Sequence, residues 1–187
     1  TNSIVDNRAL VKKIYLPREL FPISAIIVAF VHFLPQVAIL LFVCILIGWV
    51  PTFAALGAFL LALAITMLVA LGVGLFFGAI NVRFRDAASF VEIIRMLSTW
   101  SAPVLYTWTM VAAALPAWAL ELYFLNPLAP AVELFHLAFW EPTISGSASL
   151  PPDFVRYVLQ SIVVALTLVV IGQIVFRRFE RRFAQDL

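Results

Sequence analysis

The chain has 187 residues, of which 64% are hydrophobic and only 12% are charged, whereas soluble domains contain roughly 45–50% apolar and about 25% charged residues. This composition excludes an ordinary soluble protein and predicts an all-α, polytopic membrane protein whose main solvent is lipid. The net charge of +2 does not indicate nucleic-acid binding, because the basic residues lie beside apolar stretches and form no polar surface with interleaved aromatic rings.

Residues 1–19 are polar and are predicted to form a short helix on the cytoplasmic side. Asn2 or Ser3 would cap this helix, and it would end just before Pro17, which disfavours helical geometry in the residue that precedes it. Such a helix would lie along a membrane face or dock a partner. Because the chain starts without a signal peptide and leads from polar residues straight into apolar ones, we expect further residues to precede it.

Two long apolar stretches follow, at residues 20–49 and 53–80, and both are predicted to span the membrane. No Asp, Glu, Lys or Arg occurs from Leu20 to Val82, a length sufficient for two spans of about 20 residues each. Residues 48–52 form a tight connection in which Pro51 is the helix breaker. Both stretches are longer than one crossing requires, so we expect the helices to be tilted.

The second half of the chain is predicted to contain two more spans, at residues 87–111 and 154–176, followed by a basic cytoplasmic tail at 177–187. Between the spans, residues 114–142 are divided into apolar pieces of about ten residues, which are typical of re-entrant or interfacial helices on the outward side. The residues that divide this segment are Pro116, Pro127, Pro130 and Pro142.

The basic residues predict the orientation of the four spans, because Lys and Arg are retained in the cytoplasm far more strongly than acidic residues are excluded from it. In one of the two possible orientations of the spans, nearly all of the basic residues are cytoplasmic: Arg8, Lys12, Lys13, Arg18, Arg83, Arg85, Arg177, Arg178, Arg181 and Arg182. The opposite segments, 48–52 and 107–155, contain none, and Arg156 would extend its charged end to the interface. A topology of four spans with both ends of the chain in the cytoplasm therefore agrees with the distribution of Lys and Arg in every loop.

The third predicted span carries a stripe of polar residues that recur at helical spacing and share one face. They are Glu92, Arg95, Thr99 and Tyr106. An arginine at the centre of a spanning helix costs roughly 2.5–3.5 kcal/mol on insertion scales, so such residues usually face protein or a wet cavity. The stripe therefore predicts a translocation path. The alternative is an i,i+3 ion pair near the membrane surface that packs against another span.

Aromatic residues lie in or near the outer half of the same span, at Trp100, Tyr106 and Trp108. Aromatic rings at this depth most often form an interfacial belt. Flat rings also stack on sugar faces, so the same residues could line a conduit.

The turn NVRFRD, at residues 81–86, places Arg83, Arg85 and Asp86 between two spans. Its arginines would anchor the turn on anionic lipid, at about 1 kcal/mol per basic residue. Alternatively, the turn would contact a cytoplasmic subunit.

The sequence offers no motif for nucleotide hydrolysis, metal binding or covalent catalysis. A phosphate-binding loop needs a lysine that follows a glycine, and neither Lys12 nor Lys13, the only lysines, follows one. His32 and His136 lack carboxylate or cysteine partners at ligand spacing, and Cys44 is the only cysteine. We therefore expect no catalytic residue, metal ligand or cofactor in this chain.

Four short segments occur in a set order: NRALVKKIYLPRELFPIS at 7–24, NVRFRD at 81–86, PVLY at 103–106 and NPL at 126–128. In order and spacing, and together with four spans, they resemble permease subunits of ABC exporters that move lipid-linked polysaccharides, of the Wzm and TagG type. The resemblance covers nearly the whole chain.

This resemblance implies six spans in the complete protein, of which two and an amphipathic helix would precede this chain. It also implies that two copies form one channel in the bacterial cytoplasmic membrane, above two ATP-binding subunits that hold ATP and Mg. The segment at 2–19 and the turn at 81–86 would couple to these subunits. The implied coupling residues are Asp6, Arg8, Lys12, Lys13, Arg18, Glu19, Arg83, Arg85 and Asp86.

The resemblance further implies that the third span lines the channel and that two outward-side gate helices meet at Asn126 and Pro127. The implied lining consists of Glu92, Arg95, Thr99, Trp100, Tyr106 and Trp108. Two features depart from the family pattern: Ala102 rather than serine precedes Pro103, and the Glu92 and Arg95 pair makes the lining unusually charged.

The composition of the chain, which is rich in Ala and Trp, is most similar to that of actinobacterial members of the family, in particular mycobacterial ones, which move a lipid-linked galactan. An ABC permease for drugs or small lipids is an alternative with the same topology. A membrane-embedded transferase is a second alternative, but it would need a polar catalytic cluster, and the carboxylates of this sequence are scattered. A secondary transporter is a third alternative, but it would need internal repeats that the sequence does not show.

Overall fold

The computed structural model describes residues 19–84, 87–140 and 150–180, and every regular element within these ranges is helical. The elements are α1 Leu20–Leu46, α2 Phe53–Arg83, α3 Ala87–Ser101, α4 Trp108–Ala114, α5 Ala117–Phe124, α6 Leu128–Phe135 with a π-helical turn His136–Trp140, and α7 Phe154–Glu180. The predicted all-α class is therefore confirmed for the described part of the chain.

Three of these helices, α1, α2 and α7, are long and apolar enough to cross a membrane. They begin at the predicted residues and end at 46, 83 and 180 rather than at 49, 80 and 176. The hydrophobic runs determine these helices, because lipid leaves the backbone no hydrogen-bond partner except itself. Among the described residues, the number of spans rises to four if α5 and the helix that follows it count as one bent span.

The connection between α1 and α2 is built from local breakers. Gly48 adopts a φ of 92°, in the left-handed region that favours glycine, and the hydroxyl of Thr52 accepts a hydrogen bond from the amide of Ala55 at 3.1 Å, which caps α2. Trp49 is buried, and its indole N–H donates to the carbonyl of Ala138 at 3.0 Å. The predicted tight connection is therefore confirmed.

The single helix predicted over residues 87–111 is interrupted. Helix α3 ends at Ser101, residues 102–107 are not helical, and α4 begins at Trp108. At 1.5 Å per residue, α3 is about 22 Å long, which is shorter than a hydrocarbon core of about 30 Å. A crossing by this part of the chain would therefore need residues beyond Ser101, and the predicted span at 87–111 stays a prediction.

The proline-rich segment is divided into short helices, as predicted. Pro116 and Pro127 occupy the positions just before α5 and α6, and the axis bends by 81° between these helices. Pro130 was also predicted to divide the segment, but it lies in the first turn of α6, where its missing N–H costs no intrahelical hydrogen bond. Pro142 lies outside the described residues.

The described chain forms two compact units. The first contains residues 19–32, 67–84, 87–96 and 165–180. Its core consists of buried side chains from α2 and α7, which are Leu75, Ala79, Val82 and Phe176. Partly buried side chains pack around this core: Phe21, Leu71, Val175 and Phe179.

Helices α2 and α7 approach each other within this first unit at two glycines. A Cβ atom on Gly72 would lie 2.6 Å from the carbonyl carbon of Leu168, and one on Gly172 would overlap with the carbonyl oxygen of Gly72. Both glycines have a packing role, since small residues let helix backbones meet in membranes. Gly74, also on α2, has no such role, because a Cβ atom there would meet nothing within 4 Å.

The second unit contains residues 33–66, 97–140 and 150–164. One of its cores joins Cys44, Trp49 and Ala55 with the ring of Phe139, so Cys44 is a small core side chain. A second core contains Phe124, Ala129 and Tyr157 and holds the residues from which the candidate site is built.

Candidate functional site

The carboxyl end of α3 is capped by its own last residue and by side chains from outside the helix. The last carbonyl groups of a helix have no partner within it. Here the hydroxyl of Ser101 donates to the carbonyl of Ser98 at 3.2 Å, and the hydroxyl of Tyr106 donates to the carbonyl of Trp100 at 2.8 Å. The side-chain amide of Asn126 donates to both the carbonyl and the hydroxyl of Ser101 at 3.2 Å. These contacts stabilise the end of α3 at this residue.

Asn126 and Pro127 were predicted to form a gate, and the structure places them at a joint between helices. While its amide binds Ser101, the Oδ1 atom of Asn126 accepts a hydrogen bond from the backbone of Leu128 at 3.1 Å, a contact typical of asparagine turns. Pro127 is the residue directly before α6, and its φ is −66°. Asn126 thus connects the end of α3 to the start of α6, and the gating role stays a prediction.

Two tyrosines extend this joint. The hydroxyl of Tyr123 lies 3.4 Å from that of Tyr106 and donates to it, while Tyr106 donates to the end of α3. Trp108, which was predicted to lie in a belt or along a conduit, is half-buried and packs against the core of Phe124 and Tyr157. Its ring therefore has a packing role in the described structure.

Arg156 has a charged partner that the sequence did not indicate. Its guanidinium donates to Oε2 of Glu121 at 2.8 Å, and the hydroxyl of Tyr157 donates to Oε1 of the same carboxylate at 3.1 Å. The guanidinium also lies 5.7 Å from the centre of the Tyr157 ring, and this ring stacks on Phe124 at 4.3 Å. The ion pair is about half exposed, so it contributes orientation more than stability.

The predicted polar stripe is shorter than expected. Glu92 and Arg95 form an i,i+3 ion pair at 2.9 Å, with 67% and 76% of their side chains exposed. Thr99 is also exposed, on the next turn of α3. Tyr106 does not continue the stripe, because it lies beyond the end of α3 at Ser101.

Trp100 and Tyr106 therefore differ in their surroundings. The ring of Trp100 is 62% exposed on α3, whereas Tyr106 is half-buried and engaged by Tyr123. Of the aromatic residues predicted to line a conduit, Trp100 is the one whose ring is largely exposed in the described structure.

Most of the predicted coupling residues lie outside the described residues: Asp6, Arg8, Lys12, Lys13, Arg18, Arg85 and Asp86. Arg83 is the last residue of α2, and the amide of Ala87 donates to the carbonyl of Phe84 at 3.0 Å across the turn. Glu19 is described, and its carboxylate faces Gln173 and Arg177 on α7.

Sequence reasoning also missed a contact between a buried glutamate of α6 and the histidine that follows this helix. The carboxylate of Glu133, which is only 5% exposed, lies 3.6 Å from Nδ1 of His136. The i,i+3 spacing of these residues was the available signal, so the expectation that His136 has no carboxylate partner was wrong. Within the described ranges, no group of three potential metal ligands occurs.

Two comparisons with known proteins bear on this arrangement. A model of the ABC-2 type transporter family matches residues 2–140. Two Klebsiella pneumoniae proteins, each described as the O-antigen export system permease protein RfbA, are 24% identical over 185 residues, which is 99% of this chain. The chain spans 66% of the length of each of these relatives.

Proposed function

Because the chain belongs to the ABC-2 type transporter family, we propose that it is the channel-forming permease subunit of an ABC exporter that moves a lipid-linked polysaccharide across the bacterial cytoplasmic membrane. The observation that carries this proposal is the similarity to O-antigen export permeases along 99% of the chain. The order of helices supports it, since long apolar helices flank a short, charged α3 and the bent pair of α5 and α6.

Energy for transport would come from another polypeptide. The chain lacks a lysine that follows a glycine, which a phosphate-binding loop requires. Two copies of the permease would therefore act with two ATP-binding subunits that hold ATP and Mg. These subunits would dock on the predicted cytoplasmic elements, residues 2–19 and the turn after α2.

The glycan would pass along the exposed polar face of α3. A charged pair on a helix of a membrane protein usually faces protein or water rather than lipid, and Glu92 and Arg95 are both largely exposed in the isolated chain. Trp100 adds a flat ring on the same short helix, and such a ring suits the apolar face of a sugar.

We expect replacement of Trp100 by alanine to lower glycan export by about 2- to 13-fold without lowering the thermal stability of the protein, since one stacking contact of about 0.5–1.5 kcal/mol would be lost. The ring is 62% exposed, so its removal leaves no large cavity. Export by the complete transporter, divided by the amount of folded protein, measures the effect.

Trp118 provides the matched control, because its ring is 69% exposed on α5 and is assigned no role in transport. Trp118→Ala should export like the unchanged protein. Equal losses in both variants would indicate an interfacial belt and would contradict a lining role for Trp100.

Transport by the reconstituted complex tests the proposed function itself. The complete permease and its ATP-binding partner, placed together in proteoliposomes, should move a lipid-linked O-antigen or galactan only when ATP is hydrolysed. The comparison of the two glycans would assign the substrate. Movement of dyes but of neither glycan would favour a drug permease, and glycan transfer without the partner would favour a transferase.

A further inference from the structure

Glu19 lies where the predicted coupling segment meets the first membrane helix, directly before α1. Its side chain is 31% exposed and turns towards the last helix of the chain rather than towards solvent. The side-chain amide of Gln173 donates to its Oε1 atom at 2.5 Å, and Nε of Arg177 lies 3.5 Å from the same oxygen. We call this contact of three residues the Glu19 junction.

In the Glu19 junction, Glu19 forms a hydrogen bond with Gln173, which lies 154 positions later in the sequence. Hydrogen bonds to an ionised carboxylate are shorter and stronger than neutral ones. Gln173 and Arg177 are four residues apart and so lie on one face of α7. A single carboxylate therefore ties the start of α1 to two successive turns of the last helix.

Apolar packing surrounds the junction. Phe21, two residues after Glu19, packs against the core of Leu75, Ala79, Val82 and Phe176. Phe179, two residues after Arg177, packs against the same core. The start of α1, the end of α2 and the end of α7 consequently form one packed body within the first unit.

Helices α2 and α7 are also joined at backbone distance by Gly72 and Gly172, about two turns from Ala79 and one turn from Phe176. Close-packed interiors have low compressibility and transmit strain. A displacement of the end of α7 would therefore displace the end of α2 with it.

Both predicted coupling elements are continuous in sequence with this packed body. The segment at 2–19 ends at Glu19, and the turn at 81–86 includes Val82 of the buried core. We propose that Glu19 is a positioning residue, which passes motion of the coupling segment to α7 and, through the glycine contact, to α2. This differs from a docking contact with the ATPase, which the resemblance had implied for Glu19.

The proposal rests on the proposed function, because it assumes that an ATP-binding partner drives the permease. Glu19→Ala removes the acceptor of both donors. Glu19→Gln keeps a carbonyl oxygen for Gln173 but loses the charge that faces Arg177. Arg177→Ala removes one donor, and Arg178→Ala provides a control with the same change in charge on an exposed neighbouring residue.

The test uses the complete permease with its ATP-binding partner in proteoliposomes and measures three quantities: partner bound per permease, ATP hydrolysed, and glycan exported per ATP. For Glu19→Ala we expect unchanged partner binding and an export yield per ATP that falls by about 2- to 30-fold, as for mutations along a coupling network. Arg177→Ala and Glu19→Gln should fall between this variant and the unchanged protein, and Arg178→Ala should match the unchanged protein.

Two results for Glu19→Ala would overturn the proposal. An unchanged yield per ATP in folded Glu19→Ala would indicate a structural contact only, and loss of partner binding would make Glu19 a docking residue. If Glu19→Ala does not fold, the glycan exported per ATP is compared between Arg177→Ala and Arg178→Ala. Equal yields in these two variants would overturn the proposal. If the unchanged permease shows no export driven by ATP, the proposed function itself fails, which is a separate result.

Discussion

Replacement of Gly172 by valine is expected to prevent stable assembly of α2 and α7. Even a single added Cβ atom would overlap with the carbonyl oxygen of Gly72, and backbone atoms cannot move aside as a side-chain rotamer can. Overpacking of a well-packed core typically costs about 1–3 kcal/mol, and contact with backbone places this substitution at or above the upper end. The thermal unfolding midpoint in detergent and the yield of monodisperse protein measure the effect.

The control for this substitution is Gly74→Val on α2. A Cβ atom at Gly74 would meet nothing within 4 Å, and the change in helix propensity is the same in both variants. Gly74→Val should therefore fold with nearly unchanged stability. If Gly172→Val were as stable as Gly74→Val, the close approach of the two helices would be refuted.

Replacement of Asn126 by alanine is expected to destabilise the joint between α3 and α6 by about 2–4 kcal/mol, since three hydrogen bonds of about 1 kcal/mol net each are lost. The side-chain amide no longer binds the end of α3, and the amide of Leu128 loses its acceptor. In a membrane protein the freed backbone groups find less water than in a soluble one. Thermal unfolding of the variant checks this value.

Asn126→Asp separates the two halves of this contact. The aspartate keeps an oxygen for Leu128 but places a second oxygen, in place of the donor, against the carbonyl oxygen of Ser101, so its stability should lie below that of the unchanged protein. An alanine variant with unchanged stability would mean that other residues determine where α3 ends.

The sequence predicted the long helices well because local information is sufficient for them. The uncharged run from Leu20 to Val82 leaves helix formation as the way to satisfy its backbone in lipid. Breakers at Gly48 and Pro51 then divide the run into two helices. These signals lie within the elements that they determine, so no knowledge of distant contacts was needed.

The end of α3 was only partly predictable in this way. Apolar periodicity continues past Ser101, but Pro103 disfavours helical geometry in Ala102, the residue that precedes it. Tyr106 and Asn126 then bind the last carbonyl groups of the helix. Asn126 is 25 residues away from Ser101, and no pattern in one sequence pairs them. The stripe consequently lost Tyr106, although the ion pair of Glu92 and Arg95 was anticipated.

The same reason explains the partners that were missed. Arg156 was expected to extend alone to the interface, whereas it pairs with Glu121, 35 residues earlier. The contact of Glu19 with Gln173, 154 residues later, was also missed, while the coupling of Glu19 to the ATPase stays a prediction. Charge and spacing identify residues that need a partner, but the packing of the helices decides which partner each one finds.

The transport role depends most directly on the side of the membrane that the turn between α2 and α3 faces. Cysteine labelling of Phe84→Cys in a Cys44→Ser background tests this, because Phe84 is 57% exposed in the turn and Cys44 is the only cysteine among these 187 residues. Val50→Cys, in the opposite connection and 68% exposed, serves as the control.

A membrane-impermeant maleimide should label position 84 only after the cells are permeabilised, and position 50 in intact cells. Labelling of position 84 in intact cells would place the turn outside, away from any ATP-binding subunit, and would contradict the proposed coupling.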